Sequence, residues 1–102
     1  MNIRYRPRAL ADLESIFNDT YDRWGPDQAD NYLKQIRAAV ESLLDYPHRG
    51  HRYSALNYYR SIPSGRHLIF YTINPDHICV VRVLHDRMDL RSKLLEEPDD
   101  TV

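Results

Sequence analysis

The chain is short of several residue types, and each shortage excludes something. A single cysteine, Cys79, rules out an intramolecular disulfide and fits a reducing compartment. No apolar run approaches the ~20 residues of a membrane span, and the opening MNIRYRPRALADL lacks the apolar stretch of a secretory signal. The expectation is a cytoplasmic protein without membrane association. Lysine occurs only at Lys34 and Lys93, and no tyrosine follows Tyr71, two absences that bear on catalysis below. No internal repeat and no domain boundary are visible. At 102 residues the chain is expected to be a single domain over 1–95, closed by an acidic disordered tail over 96–102.

Net charge is −1, yet it is unevenly spread. Residues 8–45 carry four basic and eight acidic side chains, whereas residues 46–95 carry eight basic and three acidic ones together with all five histidines. The C-terminal half is therefore a candidate surface for an anionic partner. The competing explanation is that solvated arginines fall on a sheet edge, where charge discourages aggregation.

Alternation in the first residues, with Ile3 and Tyr5 on one side and Asn2, Arg4 and Arg6 on the other, predicts a short strand. Pro7 suits the first turn of a helix, and Leu10, Leu13, Phe17, Tyr21 and Trp24 follow at helical spacing as its apolar face. Gly25-Pro26 ends it. A second helix has the stripe Ala29, Tyr32, Leu33, Ile36, Val40 and Leu43, with Pro47 just beyond its end, so the two should form an antiparallel hairpin. Residues 47–57 read as a loop. Strands are predicted over 57–62, 66–73 and 77–84, separated by Pro63-Ser64-Gly65 and Asn74-Pro75-Asp76, which makes an antiparallel meander. Residues 89–95 suit a short helix capped by Asp89. The result is an α+β fold: N-terminal strand, antiparallel helical hairpin, three-stranded antiparallel meander and short C-terminal helix.

The stretch ICVVRVLHDRMD, 78–89, poses the functional question. Strict alternation puts Cys79, Val81 and Val83 on one face, and Ile78, Val80, Arg82 and Leu84 on the other. Both faces are apolar although the helical hairpin covers only one, which suggests a groove that another chain fills. Alternatively the C-terminal helix folds back over that face and Arg82 pairs with Asp86 or Asp89. His85 falls on the parity opposite to Arg82, so the two converge only if the strand ends or bulges at Leu84.

YYRSIPSGRHLIFYTINPDHICVVRVLHDRMD resembles the ParE branch of the ParE/RelE toxin superfamily, above all in GRHLIFY (65–71) and RVLHDRMD (82–89). ALADLESIF and the Arg-Trp-Gly turn at 23–25 are also similar to that family, and the likeness spans nearly the whole chain outside the acidic tail. The resemblance implies the toxin of a type II toxin–antitoxin module with a RelE/ParE-like fold. It implies inhibition of DNA gyrase, and hence of replication, with neutralisation by a ParD-like ribbon-helix-helix antitoxin that wraps the toxin. DNA would then be met only indirectly, through the antitoxin. Arg60, Arg66, Arg82, His85, Arg87, Met88 and Arg91 become candidates for contact with gyrase or antitoxin. Leu13, Phe17, Trp24, Ile78, Val80 and Leu84 become candidates for the antitoxin groove. On this reading trimming Asp89–Val102 should abolish toxicity.

The alternative within the same superfamily is a RelE-like ribosome-dependent mRNA endoribonuclease. Arg60, Arg66 and Arg82 would clamp phosphate, and His67 or His85 would serve as acid or base. Near-neutral charge is poor for competing on a polyanion, the RelE-like C-terminal tyrosine is missing, and arginine is too basic to accept a proton. The favoured reading is therefore a toxin that is not an enzyme and has no catalytic residue; a third is an inactive homologue that only binds antitoxin. His48 and His51 lack a matching second pair of ligands, so no metal is expected, and no cofactor. Cys79 suits a small core position, and the strand aromatics suit packing.

Overall fold

Pro7 and Pro26 each occupy the first turn of a helix, where the missing N–H is no loss: α1 (Pro7–Trp24) and α2 (Pro26–Glu41). One residue joins them. Gly25 takes φ 89°, a left-handed conformation, and its N–H donates to Tyr21 O at 2.8 Å while its carbonyl accepts from Ala29. The computed structural model describes residues 1–53, 56 and 58–96; the acidic tail from 97 on, expected to be disordered, lies outside the described residues.

On α1 the buried face is Ala9, Leu13 and Ile16, whereas Leu10, Tyr21 and Trp24 are exposed. The periodic stripe expected to be core is thus rotated away from the sheet by about one residue, or 100°. Small Ala9 lets the helix approach the strands, and the larger aromatics are left on its outer side. On α2 the expected stripe is the buried one, through Ala29, Ile36, Val40 and, in the turn beyond, Leu43.

The strands are β1 (Asn2–Tyr5), β2 (His51–Arg52), β3 (Arg60–Ser64), β4 (His67–Ile73) and β5 (His77–His85), in the order β1-β5-β4-β3-β2. β1 runs parallel to β5 and the remaining pairs are antiparallel. β3 starts later than the sequence suggested and continues through Pro63 to Ser64, so the hairpin turn is Gly65-Arg66. Pro63 is tolerated because β2 pairs only with Arg60 and Ser61, leaving the edge beside Pro63 open. Gly65, at φ 58°, supplies the first central residue of a tight turn. β2 was unexpected, being too short to show a period. Its approach is fixed by Tyr71, whose hydroxyl donates to Pro47 O at 2.8 Å and accepts from Gly50 N–H at 2.9 Å.

Both faces of the sheet are covered. Ile62, Ile69, Tyr71, Ile78, Val80 and Val83 pack against α1 and α2. Phe70, Val81 and Leu84 pack on the other side against Tyr59 and against Leu94 of α3 (Leu90–Leu95). Asp89 caps α3 as expected, accepting from Ser92 N–H and Oγ. The second apolar face is therefore filled by the chain's own C-terminal helix.

A bulge explains how β5 serves two cores. Tyr71 pairs with Val80 and Phe70 with Arg82, so Val81 is the extra residue. Beyond it the parity inverts: Val83 joins Ile78 and Val80 on the helix side, and Leu84 joins Val81 on the α3 side. The bulge lies at Val81, not at Leu84, and it re-aims every side chain from Arg82 to His85.

Candidate functional site

β1 ends at Tyr5, so the edge of β5 beyond Val80 faces α1 rather than a strand. There the Val83 N–H donates to Asp12 Oδ2 at 2.9 Å. The Arg82 guanidinium grips the same carboxylate in a two-armed fork, Nε to Oδ2 at 2.7 Å and one Nη to Oδ1 at 2.8 Å. Both side chains are largely buried. Asp12, not Asp86 or Asp89, is thus the partner of Arg82, and the arginine is held inside the fold rather than along an open groove.

Next to that pair a cleft opens between the C-terminal half of α1, the β3–β4 turn and the end of β5. Asp19, Arg23, Trp24, Tyr32, Arg66, His67 and His85 line it, and Arg87 and Met88 continue its rim. Cross-strand pairing sets His67 opposite His85, with ring centres 5.3 Å apart and edge to face. Tyr32 reaches across from α2. Its oxygen accepts from the Arg66 N–H at 3.1 Å, can donate to Ser64 O at 3.3 Å, and stands 2.7 Å from His67 Nδ1 in a hydrogen bond whose direction follows the histidine tautomer. Burial first, and His85 second, hold the His67 imidazole below its ordinary value, against the pull of Asp86, Asp12 and Asp19. His85 Nδ1 accepts from the Arg87 N–H at 3.1 Å.

Of the residues singled out from sequence, Arg66, His85, Arg87, Met88 and Trp24 meet at this cleft. Arg60 does not: it stands at the far end of β3 from the turn that carries Arg66, donating to Gly50 O at 2.8 Å. Arg91 is exposed on α3. Leu13 and Phe17 line a groove between α1 and α2 with Leu10, Leu33, Lys34 and Arg37. Ile78 and Val80 are fully buried beneath the helices, and Leu84 is buried under α3, so these three are core rather than lining. Asp12, Asp19 and Tyr32 were not singled out. Asp12, Ile16 and Asp19 share one helical face, a polar margin on the buried side of α1 that the spacing does carry. Tyr32 looked like one more apolar-stripe residue.

The family model described as ParE toxin of type II toxin-antitoxin system, parDE, matches residues 3–90. Toxin ParE1 of Mycobacterium tuberculosis is 41% identical over 98 residues, covering 92% of this chain and 100% of the relative. Toxin ParE1 of Caulobacter vibrioides is 35% identical over 92 residues, covering 89% and 95%. Among solved structures, the chromosomal ParDE TA system from P. aeruginosa superposes with TM-score 0.75 at 20% identity, covering 83% of this chain and 95% of that one. A YoeB/ParE toxin from Agrobacterium tumefaciens superposes with TM-score 0.60 at 13% identity, covering 83% and 98%, and shares the fold. The chain belongs to the ParE toxin family of type II toxin–antitoxin systems.

Proposed function

We propose that the chain is a non-enzymatic toxin that inhibits DNA gyrase and is neutralised by a ParD-like antitoxin in the cytoplasm. The observation that carries the non-enzymatic part is the dispersal of the phosphate clamp an endoribonuclease would need. Arg82 is committed to Asp12, and Arg60 is tied to Gly50 O at the far end of β3. Of the arginines expected to clamp phosphate only Arg66 is left at the His67–His85 cleft, and Asp19, which lines it beside Arg23, opposes the approach of a polyanion there.

The gyrase-facing surface on this reading is the rim of that cleft: Arg66, His85, Arg87, Met88 and the exposed Trp24. An exposed aromatic and a methionine among arginines is the composition of a protein contact. The antitoxin segment lies in the groove between α1 and α2, where Leu10, Leu13, Phe17 and Leu33 offer apolar seats flanked by Glu14, Asp30, Lys34 and Arg37. The P. aeruginosa neighbour comes from a ParDE system, which supports an antitoxin of the ParD kind.

The test is a gyrase assay with the purified chain, scoring supercoiling and trapped cleaved DNA, run beside in vitro translation with a primer-extension readout. The expected outcome is lost supercoiling or accumulated cleaved DNA with translation untouched, reversed by the antitoxin. Cut message with normal gyrase would transfer the assignment to a ribosome-dependent nuclease.

A further inference from the structure

Between Asp45 and Asp76 the sequence contains no acidic residue, yet it carries Arg49, Arg52, Arg60 and Arg66 with His48, His51 and His67. The fold gathers the first part of that stretch onto one free edge of the sheet. β2 is the outermost strand, and its register sets Arg52 directly opposite Arg60. Like charges facing each other across a strand pair are destabilising. Neither arginine, nor Arg49, forms an ion pair among the described residues; Arg60 is tethered to Gly50 O and Arg49 to Ser42 Oγ, both neutral acceptors. His48, Arg52, Tyr58, Arg60 and Ile73 surround a common hollow at this edge. Tyr58 is exposed beside it, its ring tilted on Tyr59 with centres 4.6 Å apart.

We propose that this edge binds single-stranded DNA, with Arg49, Arg52 and Arg60 on successive phosphates and Tyr58 stacked under a base. Guanidinium forks fit phosphate oxygens, and an exposed ring on a fixed neighbour gives a stacking platform that tolerates any base. A duplex keeps its bases out of reach of Tyr58. An acidic peptide would satisfy the arginines but leave Tyr58 without a planar partner. Among the described residues the hollow is lined by neither carboxylate nor side-chain amide, and the phosphate and stacking contacts do not call for a 2′-hydroxyl. The site lies apart from the His67–His85 cleft, goes beyond the gyrase reading, and departs from the expectation that DNA is met only through the antitoxin.

The experiment is fluorescence anisotropy of a labelled 20-nucleotide mixed-sequence DNA strand with the full chain, from 50 to 200 mM salt. Three phosphate contacts give a slope near −2 in log affinity against log salt, or about a 20-fold loss over that range. Arg49→Gln with Arg52→Gln, both at exposed positions, should flatten the slope by about 1.4, and Tyr58→Ser should weaken binding about tenfold with the slope unchanged. Arg91→Gln on α3 is the control and should change neither. Circular dichroism melts confirm that each variant is folded. No binding at 50 mM salt, or binding unmoved by the edge variants, overturns the proposal. Tighter binding of the matching RNA, duplex or a polyglutamate peptide overturns the assignment of single-stranded DNA.

Discussion

Asp12 and Arg82 stand 70 residues apart and close the fold between α1 and β5, with one carboxylate accepting both arms of the guanidinium and the Val83 N–H as well. Removing one partner strands a buried charge. Asp12→Ala should therefore cost about 3–5 kcal/mol, whereas Asp12→Leu combined with Arg82→Met should cost less than Asp12→Ala alone. Urea denaturation of Asp12→Leu, Arg82→Met and the two combined forms a double-mutant cycle. Additive losses, with no coupling, would show that the pair is not a unit.

Tyr71 ties the sheet edge to the turn that leads into it. Tyr71→Phe removes a donor to Pro47 O and an acceptor for the Gly50 N–H and should cost about 1–3 kcal/mol. Amide exchange at Gly50–Arg52 should accelerate more than exchange in β5. Tyr71 also links stability to alkaline pH. Burial raises its folded value above the ordinary 10.0, so the unfolded chain loses this proton first. Stability should fall as pH rises through 10, and fall less in the phenylalanine variant.

His67 acts in the opposite pH range. Its folded value lies below the ordinary 6.5, with burial the main cause and His85 the next. The unfolded chain therefore binds the proton more readily in the window just below 6.5. Stability present above that value should be lost as pH falls through it, levelling off below the folded value. Denaturation midpoints between pH 7.5 and 5.5 should decline in the native chain and decline less in His67→Gln. An imidazole titration by nuclear magnetic resonance with the His67 midpoint at or above 6.5 would contradict this.

Gly65 is held by space as well as by conformation. A Cβ there would stand 2.5 Å from the Tyr32 hydroxyl, at a φ of +58° that L side chains rarely adopt. Gly65→Ala should cost about 2 kcal/mol or more and displace Tyr32 from His67 and the Arg66 N–H. Tyr32→Phe relieves only part of the clash, because the ring carbons are also close, and should restore only part of the thermal midpoint in the double variant.

The helical hairpin and the three-stranded meander were readable because α1 and α2 start at prolines and carry sustained periods and the strands are divided by turn residues, whereas the two-residue β2 was not. What could not be read depended on tertiary geometry. The α1 face was misassigned because Leu10, Phe17, Tyr21 and Trp24 are more hydrophobic than the Ala9 side that meets the sheet. Alternation failed along β5 because one extra residue, Val81, shifts parity without leaving a mark in a run of valines. Arg82 could not be matched to Asp12 from sequence, since the acids nearer in the chain, Asp86 and Asp89, satisfied the same rule. The cleft was half legible: Arg66, His85, Arg87 and Met88 came from their motifs, while Tyr32 and Asp19 required the helices to be in place.

The covered second face also changes what a C-terminal truncation means. Leu94 is 1% exposed and lies over Phe70, Val81 and Leu84, with Leu90 packed beside it. Leu94→Ala should by itself cost about 2–5 kcal/mol, so removal of Asp89–Val102 should unfold the chain, and lost toxicity in that truncation would report folding. Point changes on the cleft rim separate the two causes. Arg87 and Met88 are both exposed and line the cleft ahead of α3. Arg87→Glu with Met88→Asp should leave the thermal midpoint within a few degrees of the native chain while reversing charge at the cleft. If the chain inhibits gyrase through this rim as proposed, inhibition should fall at least tenfold, the loss expected when a contact worth about 1.4 kcal/mol or more is removed. Undiminished inhibition by this folded double variant would move the gyrase contact away from the His67–His85 cleft.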